Sequence, residues 1–308
     1  MICNANNNTR PVPAAFFALL LLPLYLGAWG RFGLKVPAAV GLSLLTSLML
    51  ASFSQKNHNT GPGFPWALFW VFPLFVPLGM PLWLIPLALT AGWLIAVFCF
   101  GGYGKNIFNP LAIALVFLLA GYASSVSMVA TKPFPGAFDA FRVWTAGINP
   151  PGSVITESLK KSLHADWSFL AGGLQPSLPG LAFPGVLLLM ALFTGLIFGG
   201  RRIWLIAFVM SVVFFTLILQ KLFPGQVAGC FNILLIGITP ALILACLADS
   251  PTIPDCAGSQ VCHAVLFALL LVCFVGFSEL LLHAAFALLL VQILCPLLID
   301  ALHLEKQK

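Results

Sequence analysis

Three stretches of this 308-residue chain carry side chains that could do chemistry, and each lies at the edge of an apolar run or between two such runs. The first is NPPGSVITESLKKSL, residues 149–163, with Ser153 and Thr156 in a Ser-x-x-Thr arrangement ahead of Glu157, Lys160 and Lys161. Taken alone, these residues describe a hydroxyl that caps a short amphipathic helix, with an acid near its start and bases behind it. The second is GGYGKNIFNP, residues 101–110, a glycine-rich turn in which Asn109 can cap the next helix and Pro110 can occupy its first turn, where a missing N–H costs nothing. Exposed backbone N–H groups at such a turn could also hold an anion or the polar edge of a ring. The third is LADSPT, in which Asp249, neighbouring hydroxyls and an irregular backbone could coordinate a cation, or Asp249 could simply cap the turn.

Other constellations are missing from the sequence. The eight cysteines include no C-x-x-C, and the closest pair, Cys256 and Cys262, has a spacing that fits no common zinc or iron–sulfur pattern. Cysteines within apolar runs behave as small hydrophobes. His263, His283 and His303 are too dispersed for a metal cluster and read as interfacial. No nucleophilic triad and no dinucleotide or phosphate-loop fingerprint occurs.

The elements that must position these residues are membrane spans. The chain is 61% hydrophobic and 7% charged, with a mean hydropathy of +1.06. Low charge with long unbroken apolar runs makes the bilayer the solvent, and continuous rather than alternating runs indicate helices. The net charge of +6 is spread over segment ends, with no cluster suited to nucleic acid. About ten spans follow from the rule that roughly 20 apolar residues cross a bilayer. They fall near 13–30, 37–54, 64–80, 81–100, 109–130, 182–199, 203–220, 230–248, 262–278 and 281–299. The third and fourth are proline-rich and adjoin at GMPLWL, which predicts a tight turn or a broken helix.

The expected architecture is therefore an all-α polytopic bundle, one integral membrane domain over residues 1–308, with a single long polar loop at 131–181. Lysine and arginine in the short connections favour a cytoplasmic N-terminus and an external long loop. FNPLAI at the fifth span and FNILLI at the eighth form a faint internal echo, consistent with inverted repeats and a working site between them.

With those residues in place, TGPGFPW, VPLGMPLWL and GGYGKNIFNPLA together resemble the membrane family that includes the D subunit of the Rnf electron-transport complex and the B subunit of the sodium-translocating NADH:quinone oxidoreductase. LLIGITPALILACLADSPTIP and AAFALLLVQILCPLLID are similar to two further family blocks, with Gly237, Asp249, Thr252 and Pro254 in register. The resemblance covers most of residues 60–300.

That resemblance implies a flavin-carrying subunit of a bacterial inner-membrane, ion-translocating ferredoxin:NAD oxidoreductase of the Rnf type, coupled to Na⁺ or H⁺. Other membrane and peripheral subunits, a separate flavin transferase and membrane lipid would be its partners. It implies that Thr156, with Ser153, is the counterpart of the loop motif whose threonine holds flavin mononucleotide (FMN) through a phosphoester. Gly102, Gly104, Asn106, Asn109 and Asp249 would serve a second, non-covalent flavin. Val154 and Ile155 stand where the family has Gly and Ala, and Asn149-Pro150-Pro151 stand near the place of its upstream aspartate. A non-redox transporter, and a flavin-less scaffold of the same family, are the alternatives.

Overall fold

In the computed structural model the described residues are 14–56, 64, 66–76, 80–121, 184–197, 201–224, 227, 229–235, 239–248, 252–254, 256–275 and 281–306. All regular structure among them is helical. In chain order the helices are α1 (Ala14–Phe32), α2 (Lys35–Lys56), α3 (Trp66–Val71) running into a 3₁₀ turn (Phe72–Phe75), α4 (Leu84–Trp93) running into a π turn (Leu94–Phe98), and α5 (Pro110–Gly121). They continue as α6 (Pro184–Ile197), α7 (Arg202–Leu222), α8 (Cys230–Leu235), α9 (Thr239–Ala248), α10 (Ala257–Val275) and α11 (Leu281–Lys306). The long loop at 131–181 lies outside the described residues.

The helices coincide with the expected spans, and the reason is simple. In lipid every backbone N–H and C=O must be paired within its own segment, so each apolar run becomes a helix. Residues 35–54, 202–222 and 257–275 are long and apolar enough to cross a membrane. Within the described residues others are shorter, α5 among them with 12. On α7 one face buries Trp204, Phe208 and Val212, and the other exposes Ile203, Ile206, Met210, Phe214 and Leu217. Apolar side chains on both faces mark a helix whose outer face meets lipid.

The predicted break between the third and fourth spans is present, and three side chains repair it. Pro73 has no N–H, so the Phe69 carbonyl four residues earlier has no α-helical donor. Ser43 of α2 supplies one at 2.7 Å, and the Tyr25 hydroxyl of α1 donates to the next carbonyl, Trp70. After the 3₁₀ turn, Lys35 Nζ donates to the Met80 carbonyl at 2.7 Å. A tight turn at Pro81–Trp83 then starts α4, with the Leu84 N–H bonded to the Pro81 carbonyl at 3.2 Å. The eighth expected span is described as two helices, α8 and α9, with Thr239 and Pro240 opening the second.

The two halves repeat one packing scheme. In the first, α1 packs on α2 and α3, α2 on α3 and α4, α4 on α5, and α3 on α5. In the second, α6 packs on α7 and on the α8/α9 pair, α7 on α8 and α10, α10 on α11, and α9 on α11. Across the halves like meets like: α1 with α6, α3 with α9, α5 with α11. Such a repeated contact scheme is the layout of an internal duplication.

The FNPLAI/FNILLI echo is not the trace of that duplication. Asn109 precedes α5, whose counterpart is α11, whereas Asn232 lies inside α8, whose counterpart is α3. The likeness of six residues joins non-equivalent places.

Candidate functional site

The turn between α4 and α5 is built on glycine. Gly101, Gly102 and Gly104 have φ of 85°, 114° and 101°, a region that L side chains rarely occupy. The π turn ahead of it closes with Cys99 N–H on Leu94 O at 3.0 Å, and Gly102 N–H reaches Val97 O at 2.9 Å. Gly101 N–H bonds Phe98 O at 3.1 Å, Lys105 N–H bonds Gly102 O at 3.2 Å, and Gly104 N–H bonds the Asn106 side-chain oxygen at 3.1 Å. Gly101, Gly102, Gly104 and Lys105 thus each spend their N–H inside the turn. Asn106, whose amide also reaches the Phe108 carbonyl at 3.3 Å, helps to fold it.

Asn109 caps α5 as its position predicts. Its Oδ1 accepts the Leu111 N–H at 2.9 Å and the Ala112 N–H at 3.4 Å, and Pro110 opens the helix. The cap has a partner that lies outside every motif. The Asn109 backbone N–H donates to Gln292 Oε1 at 2.9 Å, joining the start of α5 to the middle of α11 across the interface between the halves.

Backbone donors therefore settle both amide orientations. The oxygen of each side chain is claimed, which leaves the Nδ2 of Asn109 and the Nε2 of Gln292 as NH₂ groups. Both atoms are buried without a hydrogen-bond partner, in residues only 1% and 3% exposed. Pro296, four residues beyond Gln292, removes the α-helical donor of the Gln292 carbonyl as well.

The start of α5 packs against apolar and aromatic groups. Gly92 of α4 lies so close to α5 that a Cβ there would sit 2.6 Å from the Pro110 carbonyl oxygen and 2.8 Å from the Ala114 Cβ. Next to it the Trp93 ring meets Phe53 edge-on at 6.0 Å, its indole N–H buried without an acceptor. Phe108 packs on Phe100 at 5.8 Å and joins the Trp93, Ala96 and Val97 cluster.

A second polar cluster sits in the C-terminal half. His263 is buried within the bundle, 1% exposed, and its Nδ1 accepts the Trp204 indole N–H at 3.0 Å. This fixes the hydrogen of a neutral ring on Nε2, which has no partner. Arg201 is buried and donates from a guanidinium nitrogen to the Cys246 carbonyl in the last turn of α9, at 2.8 Å. A cation at a helix C-terminus satisfies orphan carbonyls and the dipole together. Cys256 is disulfide-bonded while Cys262 is a free thiol, so the two do not pair with each other.

Of the residues singled out in the sequence, Gly102, Gly104, Asn106 and Asn109 share this one turn and cap. Ser153, Thr156 and Asp249 lie outside the described residues. No group of metal-ligating side chains occurs among the described residues. Gln292 lies in no motif of the sequence. A lone glutamine in VQILCP was the available signal.

Among known proteins, the B subunit of the Na⁺-translocating NADH-quinone reductase of Haemophilus influenzae is 36% identical over 145 residues, covering 46% of this chain and 32% of its own length. Its counterpart in Pseudoalteromonas atlantica is 30% identical over 118 residues, 38% of this chain and 26% of its own length. That of Chromohalobacter salexigens is 32% identical over 87 residues, 27% of this chain and 21% of its own length. The aligned segments thus span between a fifth and a third of these relatives. The profile of the NQR2, RnfD, RnfE family matches residues 5–307. The chain is a multi-pass membrane protein, and it belongs to the NQR2, RnfD, RnfE family.

Proposed function

We propose that this protein is the flavin-carrying membrane subunit of an ion-translocating oxidoreductase, of the Rnf type that links ferredoxin and NAD. The observation that carries the reading is the pair of buried, unpartnered amide NH₂ groups on Asn109 and Gln292, in a family of redox-driven transporters. An unpaired buried donor costs about 1–3 kcal/mol, and buried polar atoms in native interiors are almost always paired. Here the acceptors would come from a ligand, and the carbonyl edge of a flavin fits donors of this type.

A bound flavin would supply one- and two-electron transfer. The protein's share is positional. Asn109 and Gln292 would hold carbonyl oxygens of the ring, and the rigid cap fixes where those donors point. Trp93, Phe108 and their neighbours would keep water from the ring and lower the local dielectric, which strengthens each hydrogen bond. Gly102 and Gly104 shape the turn beside the ring, with Asn106. Thr156 is the proposed attachment point of a second flavin, FMN, as a phosphoester in the external loop, with Ser153 beside it and a separate transferase making the bond. Na⁺ is the coupling ion named for the quinone-reductase relatives, and Na⁺ or H⁺ is proposed here. The N-terminus is placed in the cytoplasm, and Asp249 is kept as a candidate contact for the non-covalent flavin. The remaining subunits of the complex are the partners.

The test uses the complex purified from native membranes. Flavin fluorescence should persist on this subunit in a denaturing gel and vanish in Thr156→Ala, while mild extraction should release a second flavin from both forms. Fluorescence unchanged in the variant would eliminate Thr156. A protein without any flavin would leave a non-redox transporter, a reading that the duplicated halves with broken helices favour. A subunit that assembles with its partners but never carries flavin would be a scaffold.

A further inference from the structure

We infer that Gln292 is a ligand-binding residue of this site in its own right, so that the two donor amides come one from each half of the duplication. The inference rests on the flavin reading and adds to it a residue that the Gly-Gly-x-Gly-x-Asn-x-Phe-Asn-Pro stretch does not contain.

Gln292 could have been merely the partner of the Asn109 backbone. That task needs only an acceptor, and Oε1 performs it at 2.9 Å. A purely structural acceptor leaves the other end of the amide free to be solvated or bonded elsewhere in the protein. Instead Nε2 is buried with no partner, and so is the side-chain NH₂ of Asn109, the residue whose backbone it holds. Neither amide can be flipped to relieve this, because doing so would turn an NH₂ toward a backbone N–H donor. The interior therefore holds, on two residues joined by one hydrogen bond, NH₂ groups that offer hydrogen atoms and no lone pairs.

That fixes the chemistry of the ligand. It must bring acceptors: carbonyl oxygens, or a carbonyl next to a ring nitrogen, as on the pyrimidine edge of a flavin. The same NH₂ groups repel a metal cation, so the coupling ion has its binding place elsewhere. Because Asn109 precedes α5 and Gln292 sits on α11, the donor pair exists only when the halves are docked. Repacking that interface changes ligand affinity without altering any residue that touches the ligand.

The test is a double-mutant cycle between protein and ligand, made on the assembled complex stripped of non-covalent flavin. Riboflavin, 2-thioriboflavin and 4-thioriboflavin are titrated into wild type, Gln292→Met and Asn109→Asp, the last of which keeps the cap oxygen and loses the NH₂. Sulfur is a poor acceptor, so one of the two analogues should bind wild type about tenfold more weakly than riboflavin. Gln292→Met should lose about tenfold for riboflavin and little for that analogue. Equal losses for all three ligands would make Gln292 a structural partner of Asn109 alone and overturn the inference. Should Gln292→Met fail to assemble, Gln292→Asn, which withdraws the amide by one methylene, carries the same comparison. Wild type that binds no riboflavin overturns the flavin reading and this assignment with it. Ligand-independent losses in the variants overturn only the assignment.

Discussion

The indole N–H of Trp204 donates to Nδ1 of His263 at 3.0 Å, tying α7 to α10 inside the apolar part of the bundle. Around this bond the Trp204 ring stacks on Phe208 at 5.3 Å, and Phe208 on Phe267 at 5.0 Å. The bond selects one imidazole tautomer and one ring orientation. Trp204→Phe keeps most of the stacking and strands Nδ1 without a donor. The expected outcome is a loss of about 1–3 kcal/mol, read as earlier thermal unfolding in detergent, with an unchanged helix content by circular dichroism. His263→Leu in the same background should restore part of the loss, because it removes the orphaned acceptor.

Ser43 carries a comparable load at the first broken helix. Ser43→Ala leaves the Phe69 carbonyl, which Pro73 has already deprived of its helical donor, with no hydroxyl to accept from. A loss of about 1–3 kcal/mol is expected in thermal unfolding. Ser43→Thr, which retains the hydroxyl, should lose less.

Gly92 sets the distance between α4 and α5. Adding only a methyl group would bring a carbon to 2.6 Å from the Pro110 carbonyl, so the helices must separate. Gly92→Ala should destabilise by about 1–3 kcal/mol, and Gly92→Val by more, with the yield of assembled complex as the measurement. Since Pro110 follows the cap, flavin content should fall together with stability.

The glycine turn distinguishes backbone demand from ligand contact. Gly102, at φ 114°, and Gly104, at φ 101°, resist any side chain. Gly104→Ala meets open space, so its whole effect is conformational, about 1–2 kcal/mol. Under the present reading it lowers stability and leaves the affinity of the assembled protein for riboflavin within a factor of about two. A much larger drop in affinity would mean that the turn itself touches the ligand.

Much of this was legible in the chain. Apolar runs between Pro, Gly and charged residues marked where the helices would lie, since a backbone in lipid has few other ways to pair its polar groups. Asn109-Pro110 announced a helix start, and the prolines between 73 and 86 announced the broken segment. These are local matters, decided by neighbours within a turn or two.

What the tertiary structure alone decided is which distant groups meet. Gln292 lies 183 residues from Asn109, and no local pattern marks it as the partner of a helix cap. The burial of His263 and Arg201 could not be read from their places at segment ends, because a residue near a helix terminus is buried or wet according to what packs over it. The true duplication is visible in which helices touch, while the short sequence echo links places that do not correspond. Packing brings together side chains on helices far apart in the chain, and it is packing that left two amide groups inside the bundle with hydrogens to donate and nothing in the protein to receive them.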